Sequence, residues 1–167
     1  MNAKIQKPKI PDNVIDFNPD QNKKEYKLGD SGRVLRLDTA DLNFPDRLNN
    51  ALQNIEGRIK ELSDKYGIHN IDDIGNISTG SIEGDIAILR ETDSFIKEQL
   101  NSAFDYDISS VAFGKASCIT VTEKGEYFFE AFLNAVYPVI EKEYNTRVKR
   151  LSKRVEKYTS KKGLHSK

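Results

Sequence analysis

The most suggestive chemical motif in the sequence is Gly29-Asp30-Ser31-Gly32, which has the residue types of the nucleophile segment in trypsin-like serine proteases. That chemistry needs a histidine as general base and a carboxylate that orients it. The only histidines are His69 and His165, and the second lies in a basic tail. Glycine, aspartate and serine between two strand-like runs are typical of a hairpin turn. We therefore predict a turn here and no protease site.

Two further motifs fall short of a ligand site. Gly114-Lys115-Ala116-Ser117 is similar to the end of a phosphate-binding loop, but Ser109 stands where the first glycine belongs and Ala116 where a hydroxyl belongs. The segment 70–75 offers carboxylates near a glycine, but Ile74 occupies a position where a calcium loop needs an oxygen ligand. We interpret the first segment as a loop, and the second as helix-capping and solvated loop residues.

The remaining reactive residues also lack partners in the sequence. Cys118 is the only cysteine, and as a nucleophile it would need a base such as His69. Lone cysteines in apolar runs usually pack as small hydrophobic side chains. The carboxylate pairs Asp72-Asp73 and Asp105 with Asp107 lie in polar segments without a nearby candidate base. The sequence predicts a protein that is not an enzyme, with no catalytic residue, cofactor or metal site.

Composition favours extended helices in a water-soluble protein. The chain has 167 residues, enough for one domain, but only 37% are hydrophobic and 31% are charged, which predicts a thin or elongated core. No apolar run approaches the roughly 18 residues that span a membrane, and no apolar stretch follows the basic N-terminus. A single cysteine suits a reducing compartment. We expect a protein of the cytoplasm.

The first forty residues predict a small antiparallel sheet. Residues 1–11 contain too few apolar side chains to form ordered structure, so we expect a flexible tail. Three short runs then alternate partly between apolar and polar residues, Val14–Phe17, Glu25–Leu28 and Val34–Leu37. Turn residues separate them at 18–22 and 29–32, which indicates a β-meander or hairpin that a helix must cover.

Apolar periodicity then predicts helices. The first begins near Pro45, which Asn43 or Asp41 can cap, and ends at Gly67; its stripe consists of Leu48, Leu52, Ile55, Ile59, Leu62 and Tyr66. A polar connector follows at 68–81, and a second helix runs from about Ile82 to Phe104. Asp93 interrupts the apolar stripe of that helix, and we expect its carboxylate to be exposed. For residues 105–125 the pattern does not distinguish helix from strand.

The last predicted helix extends from about Glu126 to Lys161. Pro138 lies inside it and removes a backbone hydrogen bond, so we expect a kink or a break into two helices near 134–138. Beyond the proline an apolar seam with heptad-like spacing continues at Tyr144, Val148, Leu151, Val155 and Tyr158. Nine basic residues but only one acidic residue, Glu156, lie between Arg147 and Lys167.

This seam is the candidate binding site. A regular apolar stripe flanked by cations suits pairing with a partner helix or a second copy, although a solvated charged face, nucleic acid or an anionic membrane surface would also fit. We expect protein binding with self-association, and we expect neither membrane nor nucleic-acid binding. The candidate binding residues are Tyr144, Val148, Leu151, Val155, Tyr158, Arg147, Arg150 and Arg154.

The predicted fold is α+β and mainly α: a small N-terminal β-meander or hairpin followed by about three helices. We expect one domain over 12–160, in which residues 144–160 form an extended helix, and a flexible basic tail over 161–167. Several short segments along the chain serve as landmarks for comparison with known families. They are Asp41–Leu48, Leu89 with Asp93–Ile96 and Gln99 before Phe104, Val111–Gly114, Phe128-Phe129 with Phe132-Leu133, Pro138, Ile140-Glu141 and Lys157–Thr159.

With these landmarks the chain resembles the tail assembly chaperones of long-tailed bacteriophages and prophages of Gram-positive bacteria, over residues 14–162 in outline. The resemblance implies a protein of the host cytoplasm that is absent from the virion. Such a protein binds the tape measure protein and helps tail tube subunits gather around it. Two alternatives stay open: a structural connector or completion protein of the virion, and a nucleic-acid-binding regulator that uses the basic helix.

Overall fold

The computed structural model describes residues 11–67 and 77–163, with side chains for all of these except residue 151 and residues 157–163. Two antiparallel strands form a hairpin, β1 (Lys23–Lys27) and β2 (Val34–Asp38). Gly29 and Gly32 between them have φ of 54° and 74°, and the Ser31 hydroxyl donates a hydrogen bond to the Leu28 carbonyl, 2.6 Å away. Gly29–Gly32 is therefore the predicted hairpin turn.

One face of the hairpin covers the core. Leu35 and Leu37 of β2 are buried, and Tyr26 stands opposite Leu35 in the strand register. The segment Val14–Phe17 is not a strand, so the three-stranded version of the prediction is wrong. The side chains of Val14, Ile15 and Phe17 are 53%, 86% and 67% exposed, and alternation alone does not make a strand when no edge pairs with it.

Helix α1 covers Phe44–Tyr66, with Pro45 in its first turn and Gly67 as a left-handed C-cap at φ 68°. The predicted stripe is confirmed, since Leu48, Ile55 and Leu62 are buried. The N-cap is Asn43, whose side chain makes no capping hydrogen bond. Nearby, the Asp41 carboxylate accepts hydrogen bonds from the Asn43 N–H at 3.0 Å and the Arg47 guanidinium at 2.6 Å.

Helix α2 covers Ile82–Phe104 and runs antiparallel to α1, because Asn54 contacts Gln99 while Arg58 contacts Glu91. Ile96 and Leu100 are fully buried between the helices and the rest of the body. Of the connector that precedes α2, residues 68–76 lie outside the described residues, and Ile77 is buried.

The N-cap of α2 provides a direct stability test. The Ser81 side chain accepts a hydrogen bond from the Gly84 N–H at 3.1 Å, which satisfies one of the free donors of the first turn. Ser81→Ala should lower the free energy of unfolding by about 1 kcal/mol in urea denaturation. Ser102→Ala, at an exposed site inside the same helix, is the control. Equal stability of the two variants would contradict a capping role.

The segment that the sequence left undecided contains a short helix, α3, at Ile108–Phe113. Asp107 caps it by accepting a hydrogen bond from the Ser110 N–H at 3.1 Å. At its C-terminal end the Arg33 guanidinium donates to the carbonyls of Val111 and Ala112 at 3.2 and 3.3 Å, where a cation is favourable. An isolated bridge pairs Val121 with Tyr127 before the last helix begins.

Helix α4 covers Phe128–Gly163 as a single element that passes through Pro138, so of the expected kink or break near 134–138, the break into two helices does not occur. Proline removes the N–H that would bond to the carbonyl of Asn134. Both Asn134 and Pro138 are exposed, so water can hydrate that carbonyl. The fold class, α+β and mainly α, is confirmed, with four helices among the described residues.

The core is one cluster of buried apolar residues to which β2 and all four helices contribute. Its centre is aromatic: Phe132 of α4 lies 6.1 Å from Phe104 of α2 and 5.7 Å from Phe113 of α3, measured between ring centroids. Phe128 makes an edge-to-face contact with Phe113 at 5.5 Å. The first half of α4 therefore packs into the core of the body.

Candidate functional site: the C-terminal arm

The middle of α4 is fixed to the body by Tyr144. Its ring stacks on Phe44 at the start of α1, with 5.9 Å between ring centroids. Its hydroxyl lies 2.7 Å from the Asp41 carbonyl oxygen and 3.2 Å from the Asp38 carbonyl oxygen, and it donates toward both. Burial, together with the negative charges of Asp41 and Asp38, raises the pKa of Tyr144 to about 12.

A second set of contacts joins α4 to the hairpin. Glu143 accepts hydrogen bonds from the Lys24 ammonium and from the Tyr26 hydroxyl, the latter at 2.7 Å. These two hydrogen bonds lower the pKa of Glu143, with the one from Lys24 contributing most. Three residues after Tyr144, the Arg147 guanidinium donates a hydrogen bond to the side-chain oxygen of Asn22 at 3.1 Å. Residues 143–147 therefore form the root from which the rest of α4 leaves the body.

Residues 148–163, the part of α4 beyond this root, are named the arm. All of its residues with described side chains, 148–150 and 152–156, are exposed. Sixteen residues of helix are about 24 Å long. Val148 and Val155 are 57% and 59% exposed, whereas the valines and leucines in the helices of the body are buried or partly buried. The described valines of the arm are therefore the more exposed ones.

The structure divides the predicted binding residues into two groups. Tyr144 and Arg147 belong to the root and contact the body. Val148 and Val155 lie on the arm, seven residues apart on one face of the helix, and the exposed Arg150 and Arg154 lie on a different side of it. The side chains of Leu151 and Tyr158 lie outside the described residues.

An apolar groove between α1 and α4 leads up to the arm. It has a volume of about 310 Å³, and its lining includes Leu48 and Leu52 of α1 and Tyr137, Ile140 and Tyr144 of α4. Tyr137 is 56% exposed. The spacing from Tyr137 to Tyr144 to Val148 to Val155 is seven, four and seven residues, so these side chains lie along one stripe of α4. The stripe therefore begins in the groove and continues along the arm.

A second groove, named the α1–α2 groove, was not indicated by the sequence. It has a volume of about 560 Å³ and is lined by Gln53, Asn54, Gly57, Arg58, Glu61, Glu91, Ser94, Phe95 and Glu98. These residues lie on two consecutive helices. Phe95 is the one apolar side chain of the lining, so no local apolar pattern in either helix marks the groove.

The residues considered for catalysis have structural roles. Cys118 is fully buried, and burial raises the pKa of its thiol, as does the neighbouring Asp93 carboxylate. The thiol therefore stays protonated and packs as a small apolar group. Gly114 to Ser117 form a loop after α3, Asp107 is a helix cap, and Asp105 is the left-handed C-cap of α2 at φ 59°. His69, His165 and the segment 70–75 lie outside the described residues.

Asp93 was predicted from the sequence to be exposed, but its side chain is only 16% exposed. Its carboxylate accepts hydrogen bonds from the Cys118 N–H at 2.6 Å and the Ser117 hydroxyl at 3.1 Å, and it pairs with Lys97 at 3.0 Å. The expectation of an exposed aspartate is wrong because backbone and side-chain donors of a distant loop converge on it. Asp93 thus joins α2 to the loop that precedes α4.

This arrangement predicts a pH-dependent contribution to stability. Burial alone would raise the pKa of Asp93, but the hydrogen bonds from Cys118 and Lys97 outweigh it and lower the pKa below 3.8. The contribution of a carboxylate whose pKa is lower in the folded state is present above its ordinary pKa and lost as the pH falls. Asp93→Asn should be about 2 kcal/mol less stable than the wild type at neutral pH. Urea denaturation at neutral and acidic pH should show the gap narrowing as the pH falls toward the folded pKa.

Glu98→Gln, at an exposed position of the same helix, is the control for that measurement. It should change the free energy of unfolding by less than about 0.5 kcal/mol at either pH. A gap between Asp93→Asn and the wild type that is the same at both pH values would contradict the role of the ionised carboxylate.

Among residues 11–67 and 77–163, no group of three or more histidine, cysteine, aspartate or glutamate side chains is placed to hold a metal ion. No helix in the described parts of the chain is long and apolar enough to cross a membrane. In comparisons with protein-family models, curated proteins and solved structures, nothing matches this chain.

Proposed function

We propose that this chain is a tail assembly chaperone of a long-tailed phage. It acts without enzymatic activity in the cytoplasm of the bacterial host, binds the tape measure protein and helps tail tube subunits gather around it. It also self-associates. The landmark residues of the sequence support the family, and the surface of α4 supports the mode of binding.

The observation that carries the proposal is the apolar stripe of α4, which starts at Tyr137 in the α1–α4 groove and continues through Val148 and Val155 on the arm. An amphipathic helix laid along this stripe would bury these half-exposed side chains. The body fixes the root of the arm, so the arm is presented to a partner as a continuation of α4. A long helical tape measure protein is a partner of the required shape.

Co-expression tests this proposal. The wild-type chain should raise the soluble fraction of the tape measure protein and co-purify with it at low salt. Val148→Ser with Val155→Ser should reduce co-purification, because burial of each valine contributes roughly 1–2 kcal/mol to binding. Lys149→Ser with Lys153→Ser is the matched control: it changes two exposed arm residues that do not belong to the stripe. Absence of co-purification with the wild-type chain would contradict the proposal.

Analysis of purified phage particles distinguishes a chaperone from a structural connector of the virion. The particles should lack this chain if it is a chaperone. Its presence there would favour the connector.

Nucleic-acid binding is a second candidate because of the exposed cations of the arm, Lys149, Arg150 and Lys153. Phosphate contacts would give an affinity that falls steeply with salt. Such contacts would leave Val148 and Val155 uncovered, which is why we favour a protein partner. In an electrophoretic mobility assay, the wild-type chain should not shift a DNA duplex at moderate salt. If the wild-type chain shifted the duplex and the double variant Lys149→Ser with Lys153→Ser did not, the result would favour a nucleic-acid-binding regulator.

A further inference from the structure

The apolar seam of α4 is bordered by cations along one edge. The seven positions of a helical heptad are lettered a to g, and a and d form the seam. With Val148 and Val155 at a positions, Tyr144 takes a d position, and Arg147 and Arg154 take the g positions. Each arginine lies about 100° around the helix from the valine that follows it, but only about 60° from the preceding d position. Long side chains at g positions border the seam and reach a facing helix, so this edge is basic.

The opposite edge of the seam is neutral. The e positions hold Asn145 and Ser152, and both side chains are exposed. The sequence repeats the pattern once more, with Lys161 at a g position and Thr159 at an e position. The C-terminal end of a helix favours cations on all of its sides alike, so this preference does not account for the difference. What distinguishes the two edges is the charge that a facing helix would meet on each.

A second arm does not supply the opposite charge. In a parallel pair of helices, g residues of one face e residues of the other, so Arg154 would meet a neutral polar residue. In an antiparallel pair, g residues face g residues, so arginines would meet arginines. Like charges across a seam disfavour pairing and help to exclude the wrong partner. The seam therefore favours a helix of different sequence.

We propose that the partner helix of the arm is acidic. It is an amphipathic helix with glutamate or aspartate along the edge of its apolar seam that faces Arg147 and Arg154. Val148 and Val155 supply the apolar contact, and the planar guanidinium groups suit carboxylates. This inference rests on the proposed use of the arm in protein binding, and it specifies the chemistry of the tape measure segment that the arm would hold.

Two designed peptides, each about four heptads long, test the charge of the partner. Both have isoleucine and leucine in the seam, and they differ only at the e and g positions, which are all glutamate in one peptide and all lysine in the other. Like charges keep each peptide from pairing with itself. In fluorescence anisotropy at low salt, the purified full-length chain should bind the glutamate peptide about tenfold or more tightly than the lysine peptide. Added salt should reduce this ratio.

A pair of charge reversals tests the position of the contact. Arg154→Glu should weaken binding of the glutamate peptide about fivefold, because a like charge then faces the peptide. Arg150→Glu is the matched control: it makes the same change in net charge on the same arm, but at a c position, away from the seam. It should weaken binding by less than about twofold. Both arginines are exposed, so circular dichroism should show wild-type spectra for both variants.

Three results would overturn the proposal: an equal loss of affinity in the two variants, a lysine peptide that binds as tightly as the glutamate peptide, or binding of neither peptide. Sedimentation velocity without peptide tests the second arm as the occupant. Self-association that Val148→Ser with Val155→Ser abolishes would identify it and overturn the proposal as well.

The peptide test and the co-expression test fail independently. The peptides contain no tape measure sequence, so a negative result with them would leave the co-expression test of the proposed function unaffected. If the chain bound the glutamate peptide but did not co-purify with the tape measure protein, the acidic partner would stand and the tape measure protein would not be that partner.

Discussion

Deletion of residues 148–167 is expected to reduce the affinity for the tape measure protein by about a hundredfold or more while the body stays folded. The loss follows from Val148 and Val155, whose burial under a partner helix contributes roughly 1–2 kcal/mol each, about 3 kcal/mol together, which corresponds to about a hundredfold in affinity. The free energy of unfolding should change by less than about 0.5 kcal/mol, because the described side chains that are removed are exposed. Calorimetric titration with a tape measure fragment and urea denaturation measure the two effects.

The position of the cut matters for this experiment. A deletion that begins at Tyr144 also removes the ring stacked on Phe44 and the Arg147 contact with Asn22. It should therefore lower stability and binding together, and it could not assign the binding to the arm. If the chain cut after Arg147 bound the tape measure protein as tightly as the wild type, the arm would not be the binding surface.

Tyr144→Ala is expected to have the second large effect, this time on stability. It removes a half-buried aromatic side chain from the contact between α4 and α1, and it should lower the free energy of unfolding by about 3 kcal/mol. Tyr144→Phe keeps the ring but loses the hydrogen bonds to the carbonyls of Asp41 and Asp38, which should cost about 1 kcal/mol. Urea denaturation of both variants measures the difference.

Tyr137→Ala is the matched control, because Tyr137 lies seven residues earlier on α4 and is 56% exposed. Its stability should stay within about 1 kcal/mol of the wild type. The same substitution should weaken tape measure binding, since Tyr137 belongs to the apolar stripe. If Tyr144→Ala were no more destabilising than Tyr137→Ala, Tyr144 would not anchor the root of the arm.

The elements that the sequence predicted well are those with long local signals. The apolar periodicity of α1 and α2 continues over 23 residues each, and both helices have terminal residues of the expected type, Gly67 after α1 and Ser81 before α2. The Gly29–Gly32 turn is equally local, because the glycines adopt positive φ there. Such features depend on neighbours in sequence, so the sequence alone suffices.

The wrong predictions all depend on contacts between distant residues. Asp93 is covered by the loop at Ser117 and Cys118, about 25 residues away along the chain. Val14–Phe17 alternates like a strand, but a strand requires a partner edge. Pro138 lies on the exposed side of α4, where water can replace the missing backbone donor, and only the packing of α4 determines that side.

The candidate site was predictable in part. The periodicity predicted a helix over 144–158, which α4 covers, and of the predicted stripe the structure describes the side chains of Tyr144, Val148 and Val155. The basic residues were visible by composition. The point at which this stripe leaves the body was not, because it depends on Phe44, Asp41 and Asn22, which lie about 100 residues earlier in the chain. The α1–α2 groove was missed for the same reason.

Amide hydrogen exchange tests the central claim that the arm is the surface for a partner protein. In the free chain, amides of 148–163 should exchange faster than those of the first half of α4, because the described side chains of the arm are exposed. Adding a tape measure fragment should slow exchange over 148–163 and at the α1–α4 groove near Tyr137. Unchanged exchange in the arm, with protection confined to other parts of the chain, would contradict the account.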